Sequence, residues 1–221
     1  MGTGSSTTCA TVGNPTIKMD VEPLAPEKRP FLGYENLANS ITMLGLFFAL
    51  ASCYFAGYRN LRLSIICLIV SGICDMSDGA VARMINRTTE EKKFGIQLDT
   101  IADVISFGVT PVIIMFSLGA RAWYVLIVYA FYVTCAVIRL AHFNTSAVPD
   151  VHKPYYRGLP VTNVAWILPA ITLFGSVPAG VVTLAVLGFF FVLNIKVPKL
   201  RITVILGPVL MISLLLLWWL R

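Results

Sequence analysis

Seven stretches of this chain are each apolar over close to the ~20 residues that a helix needs to cross the hydrocarbon of a bilayer. They run over about residues 37–57, 62–86, 94–118, 121–143, 161–176, 178–195 and 202–220. In lipid every backbone N–H and C=O must find its partner within the protein, which leaves helices or a closed barrel, and segments of this length are helices. Only 13% of residues are charged against 57% hydrophobic, which places the chain outside the soluble globular class. The expected fold is therefore an all-α integral membrane protein. Residues 1–36 read as a polar juxtamembrane arm. That arm shows no basic end followed by an apolar core, so no cleavable signal is expected.

The 17 Lys and Arg residues orient the spans. With the N-terminus in the cytoplasm, only Arg59, Arg62, Arg121 and Arg221 fall outside, and the other thirteen fall inside. The net charge of +6 is spread over these flanks, which suits anionic lipid and gives no basic domain for nucleic acid. In a prokaryote the expected location is the cell membrane. Of the five cysteines, four lie within apolar stretches and none forms a C-x-x-C pair, so they read as buried packing.

Four aspartates break the apolar pattern. Asp75 and Asp78 are three residues apart, Asp99 and Asp103 four apart, so each pair projects from one face of its helix. The short connection between the second and third spans makes these helices neighbours and lets the pairs converge near the cytoplasmic end. Ionised carboxylates in a bilayer cost roughly 2.5 kcal/mol or more each and need a compensating charge. Four hard oxygen donors suit Mg²⁺, Mn²⁺ or Ca²⁺ and offer nothing soft to zinc. Gly79, Ala82 and Gly95 are small enough to let another backbone or a bulky ligand approach. Arg83 supplies a cation suited to a phosphate oxygen. Taken alone, acids of this kind also fit a proton relay or an ion-transport site.

The whole string, Asp75-x-x-Asp78-Gly79-x-x-Ala82-Arg83, eleven residues, then Gly95-x-x-x-Asp99-x-x-x-Asp103, resembles the signature of the CDP-alcohol phosphotransferases. The eleven-residue gap is longer than that family's commonest spacing and reads as a loop. The resemblance implies a six-span catalytic membrane domain over 37–201, with 202–221 an additional C-terminal transmembrane helix. It also implies transfer of a phosphate-linked group from a CDP-activated donor to an alcohol, with release of CMP. Asp75, Asp78 and Asp99 would hold divalent metal, and Asp103 would be the general base while also touching a metal. Two ions of Mg²⁺ or Mn²⁺ are implied, with Ca²⁺ as a non-productive occupant. Asn39 and Thr42 match the family's N-x-x-T near the nucleotide, so the CDP and phosphate set is Asp75, Asp78, Gly79, Ala82, Arg83, Asn39 and Thr42. Thr42 in a membrane helix also has a plain reading as a locally bonded hydroxyl.

Further segments are similar to the phosphatidylserine synthase branch: Leu98-Asp99-Thr100-Ile101-Ala102-Asp103 through Ser106-Phe107-Gly108 to Pro111, Arg139-Leu140-Ala141-His142-Phe143-Asn144, Arg157-Gly158-Leu159-Pro160, and Lys196-Val197-Pro198-Lys199. That branch implies CDP-diacylglycerol and L-serine as substrates, and a homodimer. Arg139 and Asn144 are the candidates for a serine carboxylate or lipid phosphate. His152, Lys153, Tyr155, Tyr156 and Arg157 suggest either a lid or a solvated basic loop. His142 and Thr110 depart from the branch pattern, which keeps inositol phosphate, glycerol phosphate and choline open as acceptors. A metal-ion transporter is the reading from another class, although the acids cluster at one end of the spans.

Overall fold

Asparagine side chains start the first two helices. In the computed structural model, α1 (Leu37–Gly57) begins where Asn36 Oδ1 accepts the Asn39 N–H at 3.0 Å, and α2 (Leu61–Met84) where Asn60 Oδ1 accepts the Leu63 N–H at 3.2 Å. The structure describes residues 33, 36–146, 155–157, 159–174, 176–193, 196–198, 212–214 and 216–218. These all belong to one compact unit, Gly33–Arg221. Most of the arm expected over 1–36 lies outside the described residues, as do His152, Lys153 and most of the span expected over 202–220.

The helices α1 and α2 pack along a seam of small residues. Ala38, Thr42, Gly45, Ala49, Ser52 and Ala56 are buried, while Leu37, Met43, Leu44, Phe47 and Leu50 on the other side of α1 are exposed. Small side chains allow close helix contact where lipid offers no competing hydrophobic drive. Two serines lock the register: Ser52 Oγ donates to the Ser64 carbonyl at 2.7 Å, and Ser64 Oγ to the Ser52 carbonyl at 2.9 Å.

After a four-residue turn, Ile85–Thr88, α3 (Thr89–Asp103) begins with a capping box. Thr88 Oγ1 accepts from the Glu91 N–H, and Glu91 Oε2 accepts from the Thr88 N–H. The eleven-residue gap is thus mostly helix, and the third span starts five residues before the position read from hydropathy. The charges of Glu90, Glu91, Lys92 and Lys93 hide that helical turn from an apolarity count.

Beyond Asp103 the same rod widens into a π-helical segment, Val104–Val109, and continues as α4 (Thr110–Ser117). Pro111 is the cause: it has no N–H for the carbonyl of Phe107 four residues back, and its ring crowds that carbonyl. The orphaned oxygen is recovered from another helix, where the fully buried Tyr132 of α5 (Trp123–Ser146) donates its hydroxyl to Phe107 O at 2.6 Å.

Two shorter helices complete the bundle. A 3-10 turn at Val161–Asn163 leads into α6 (Val164–Phe174), and α7 (Val177–Val192) follows immediately, with Pro178 in its first turn. Among the described residues, four helices, the rods Leu37–Gly57, Leu61–Met84, Thr89–Ser117 and Trp123–Asn144, are long and apolar enough to cross a membrane, while Val161–Leu173 and Val177–Val192 are apolar but shorter. The helix α7 lies against α5 at Gly188, where a Cβ would come within 3.2 Å of the Tyr132 Cα. The all-α reading holds with one small exception. Strands β1 (Tyr155–Arg157) and β2 (Lys196–Pro198) pair antiparallel, Tyr156 opposite Val197. Residues 212–214 and 216–218 are helical, and Trp218 donates its indole N–H to Pro169 O at 3.3 Å.

Candidate active site

All four motif aspartates line one cavity between α1, α2 and the α3 rod. Thr42, Gly45, Leu46, Ser71, Ala102, Ser106 and Phe107 form the rest of its wall. Its interior leaves only about 10 Å³ for the centre of a water-sized sphere, room for about one water or small ion. A nucleotide is far larger than this space, so all but its phosphate end would lie at the mouth.

Within the cavity the acids divide three to one. Asp75, Asp99 and Asp103, all half-buried, each bring a carboxylate oxygen within 4.8 Å of the others. Asp78 is more deeply buried and is held separately: its Oδ2 accepts from Thr42 Oγ1 at 2.6 Å. Thr42 Oγ1 also lies 3.1 Å from Ala38 O, so its single proton is shared between a carbonyl of its own helix and the Asp78 carboxylate. Asp75 Oδ2 accepts from Thr162 Oγ1 at 2.9 Å. Each threonine thus orients one oxygen of its carboxylate. Three convergent hard oxygens at low exposure fit a divalent cation, and nothing soft competes for it. Cys74, one residue before Asp75, is buried with its Cβ beneath Gly45 of α1, a packing role.

The remaining candidates sit around this centre. Asn39 is buried, with its Oδ1 3.1 Å from where a Cβ on Gly95 would stand. Gly79 and Ala82 are half-buried along α2. Arg83 is exposed and folds back along its own helix, its Nη1 3.7 Å from a Cβ placed on Gly79. Arg139 is buried in α5 with its guanidinium 5.7 Å from the centre of the Phe143 ring. Asn144 clips α5 to α3, its Nδ2 donating to Thr100 Oγ1, one residue from Asp99, at 2.7 Å.

Three residues escaped the sequence reading. Ser71 is one turn before Asp75 on the same face of α2, and its buried Oγ has no partner among the described residues. Helical spacing alone could have picked it out. Thr162 is 87 residues from Asp75 and is brought there by the turn that follows Leu159-Pro160. Arg87 sits in the Ile85–Thr88 turn with its Nη1 3.1 Å from the Cβ position on Gly95.

The sequence that carries these acids falls within a known family. The family model for CDP-alcohol phosphatidyltransferase matches residues 35–220. This chain belongs to the CDP-alcohol phosphatidyltransferase family. Among its relatives is a CDP-diacylglycerol–serine O-phosphatidyltransferase of Saccharomyces cerevisiae, 30% identical over 185 residues, covering 73% of this chain and 66% of that protein. One of the same name from Helicobacter pylori is 35% identical over 130 residues, covering 58% and 53%. Another, from Methanocaldococcus jannaschii, is 29% identical over 165 residues and covers 74% of each. The chain thus spans just under two thirds of the length of the yeast relative and about half that of the Helicobacter one. In this member of the family the motif acids share one cavity between membrane helices, and three of them could hold a divalent cation there.

Proposed function

We propose that the protein transfers the phosphatidyl group of CDP-diacylglycerol to the hydroxyl of L-serine, giving phosphatidylserine and CMP. The observation that carries this reading is the convergence of Asp75, Asp99 and Asp103 from two helices, with Asp78 beside them. The relatives named above carry the same activity in their names.

Mg²⁺ or Mn²⁺ held by these four acids would neutralise the donor's pyrophosphate and the charge that develops on departing CMP. Asp103 is the base: it takes the proton of the serine hydroxyl, whose oxygen then attacks the lipid-linked phosphorus as the bond to CMP breaks. Thr42 and Thr162 fix the orientation of Asp78 and Asp75, so these carboxylates need no reorganisation when substrate arrives. The small residues Gly79 and Ala82, together with Asn39 and Thr42, form the nucleotide side. Arg139 and Asn144 lie on the acceptor side. Donor tails remain in lipid, and the site faces the cytoplasm of the cell membrane, which the bias of Lys and Arg supports. The assembly is a homodimer, and the C-terminal helix is an addition to a six-span catalytic domain.

The test is CMP release by purified protein with CDP-diacylglycerol and Mn²⁺ or Mg²⁺. Serine, inositol phosphate, glycerol phosphate and choline are added one at a time, with Asp103→Asn alongside. Release that needs serine and is lost in Asp103→Asn is the expected result. Release with another acceptor only would refute serine and keep the chemistry. No release with any acceptor, in folded and metal-loaded protein, would refute the transferase reading.

A further inference from the structure

We infer that Arg87, rather than Arg83 alone, receives the nucleotide-side phosphate of the donor at the mouth of the cavity. This rests on the reading of the site as one for a CDP-linked lipid. Arg87 lies outside the motif, in the segment whose length is unusual, and three observations converge on it. It is half-buried, and its Nε hydrogen is buried with no acceptor among the described residues. Its Nη1 lies 3.1 Å from the Cβ position on Gly95, and Asn39 Oδ1 lies 3.1 Å from that same point, so the guanidinium rests on bare backbone opposite Asn39. Gly95 is one turn before Asp99 on the same face of α3, which puts this cation beside the metal-binding end of the cavity.

The turn is also built to hold it still. Arg87 immediately precedes Thr88, whose side chain and backbone N–H are both engaged by Glu91. A guanidinium is costly to bury without acceptors, and its planar fork suits phosphate oxygens. Arg83, exposed and turned back over Gly79, is less well placed for the same task. Because Asp103 lies further along α3, the lipid-linked phosphate must sit deeper than this mouth. That leaves the phosphate carried by CMP for Arg87.

CMP and cytidine separate this role from a structural one. Their affinities are measured by calorimetry on full-length, Mn²⁺-loaded protein in neutral detergent, for wild type, Arg87→Ala, Arg87→Gln and Arg83→Ala. The expected result for Arg87→Ala is CMP binding weakened about tenfold, the loss of one charge-assisted hydrogen bond, with cytidine affinity within about twofold. Retained cytidine binding also reports that the fold is intact. If Arg87→Ala loses cytidine as well, the polar and uncharged Arg87→Gln decides by the same comparison. Equal loss or no loss of CMP and cytidine in that variant overturns the inference. A third arm adds phosphatidylglycerol micelles. If Arg87→Ala weakens their binding while the CMP-to-cytidine ratio stays at the wild-type value, Arg87 holds a bilayer head group and the inference fails. Wild-type protein that binds neither CMP nor cytidine would instead bring down the nucleotide reading, and this inference with it.

Discussion

Replacing Thr42 with valine preserves the shape of the side chain and deletes the hydroxyl that faces Asp78. Both residues are nearly inaccessible, Thr42 at 8% and Asp78 at 7% exposure, and their oxygens are 2.6 Å apart. That separation is typical of a hydroxyl bound to a carboxylate, an interaction worth about 1.5–3 kcal/mol. Because Asp78 stands apart from the other three acids, Thr42 is what keeps it pointed into the cavity. Loss of such an orienting partner lowers metal affinity by about 10–100-fold, the same range expressed as binding. The assay is Mn²⁺ titration of purified protein followed by electron paramagnetic resonance, on wild type, Thr42→Val, Asp78→Ala and the double variant. The two changes should couple by about 1.5–3 kcal/mol, since each removes the same bond. Thr42→Ser keeps the hydroxyl and should stay near wild type. Additive effects in the double variant, or Mn²⁺ affinity in Thr42→Val within twofold of wild type, would refute the role assigned to this bond.

Thr162→Val should release Asp75 in the same way and lower CMP formation by about 10-fold or more, with saturation by Mn²⁺ shifted upward in a metal titration. Tyr132→Phe leaves the Phe107 carbonyl buried without its donor, and should destabilise the fold by about 1–3 kcal/mol in a detergent unfolding assay while sparing the cavity-lining acids. Chelation with EDTA should abolish CMP release, and excess Mg²⁺ or Mn²⁺ should restore it. Activity that survives exhaustive chelation would refute metal dependence.

Much of the site was legible because helical periodicity is local. Spacings of three and four residues put Asp75 with Asp78, and Asp99 with Asp103, before any contact is known. The same periodicity would have exposed Ser71, one turn from Asp75. What periodicity does not carry is which side chain on one helix meets which on another. The structure groups Asp103 and Asp99 with Asp75 and hands Asp78 to Thr42, a division that pairwise spacing does not contain. Hydropathy likewise missed the first turns of α3, because charged residues at a helix end look like loop.

From sequence alone follow the membrane class, the principal spans, the acid faces and the chemistry that hard oxygen donors permit, all consequences of composition and of short-range spacing. Tertiary structure alone decides the partners: Thr162 on Asp75 across 87 residues, Tyr132 on the carbonyl that Pro111 orphans, Arg87 over Gly95, and strand β1 against β2. The physical reason is that buried polar groups, such as the Asp75 carboxylate and the Phe107 carbonyl, are satisfied from distant parts of the chain. A residue's own neighbours in sequence record that need but not who meets it.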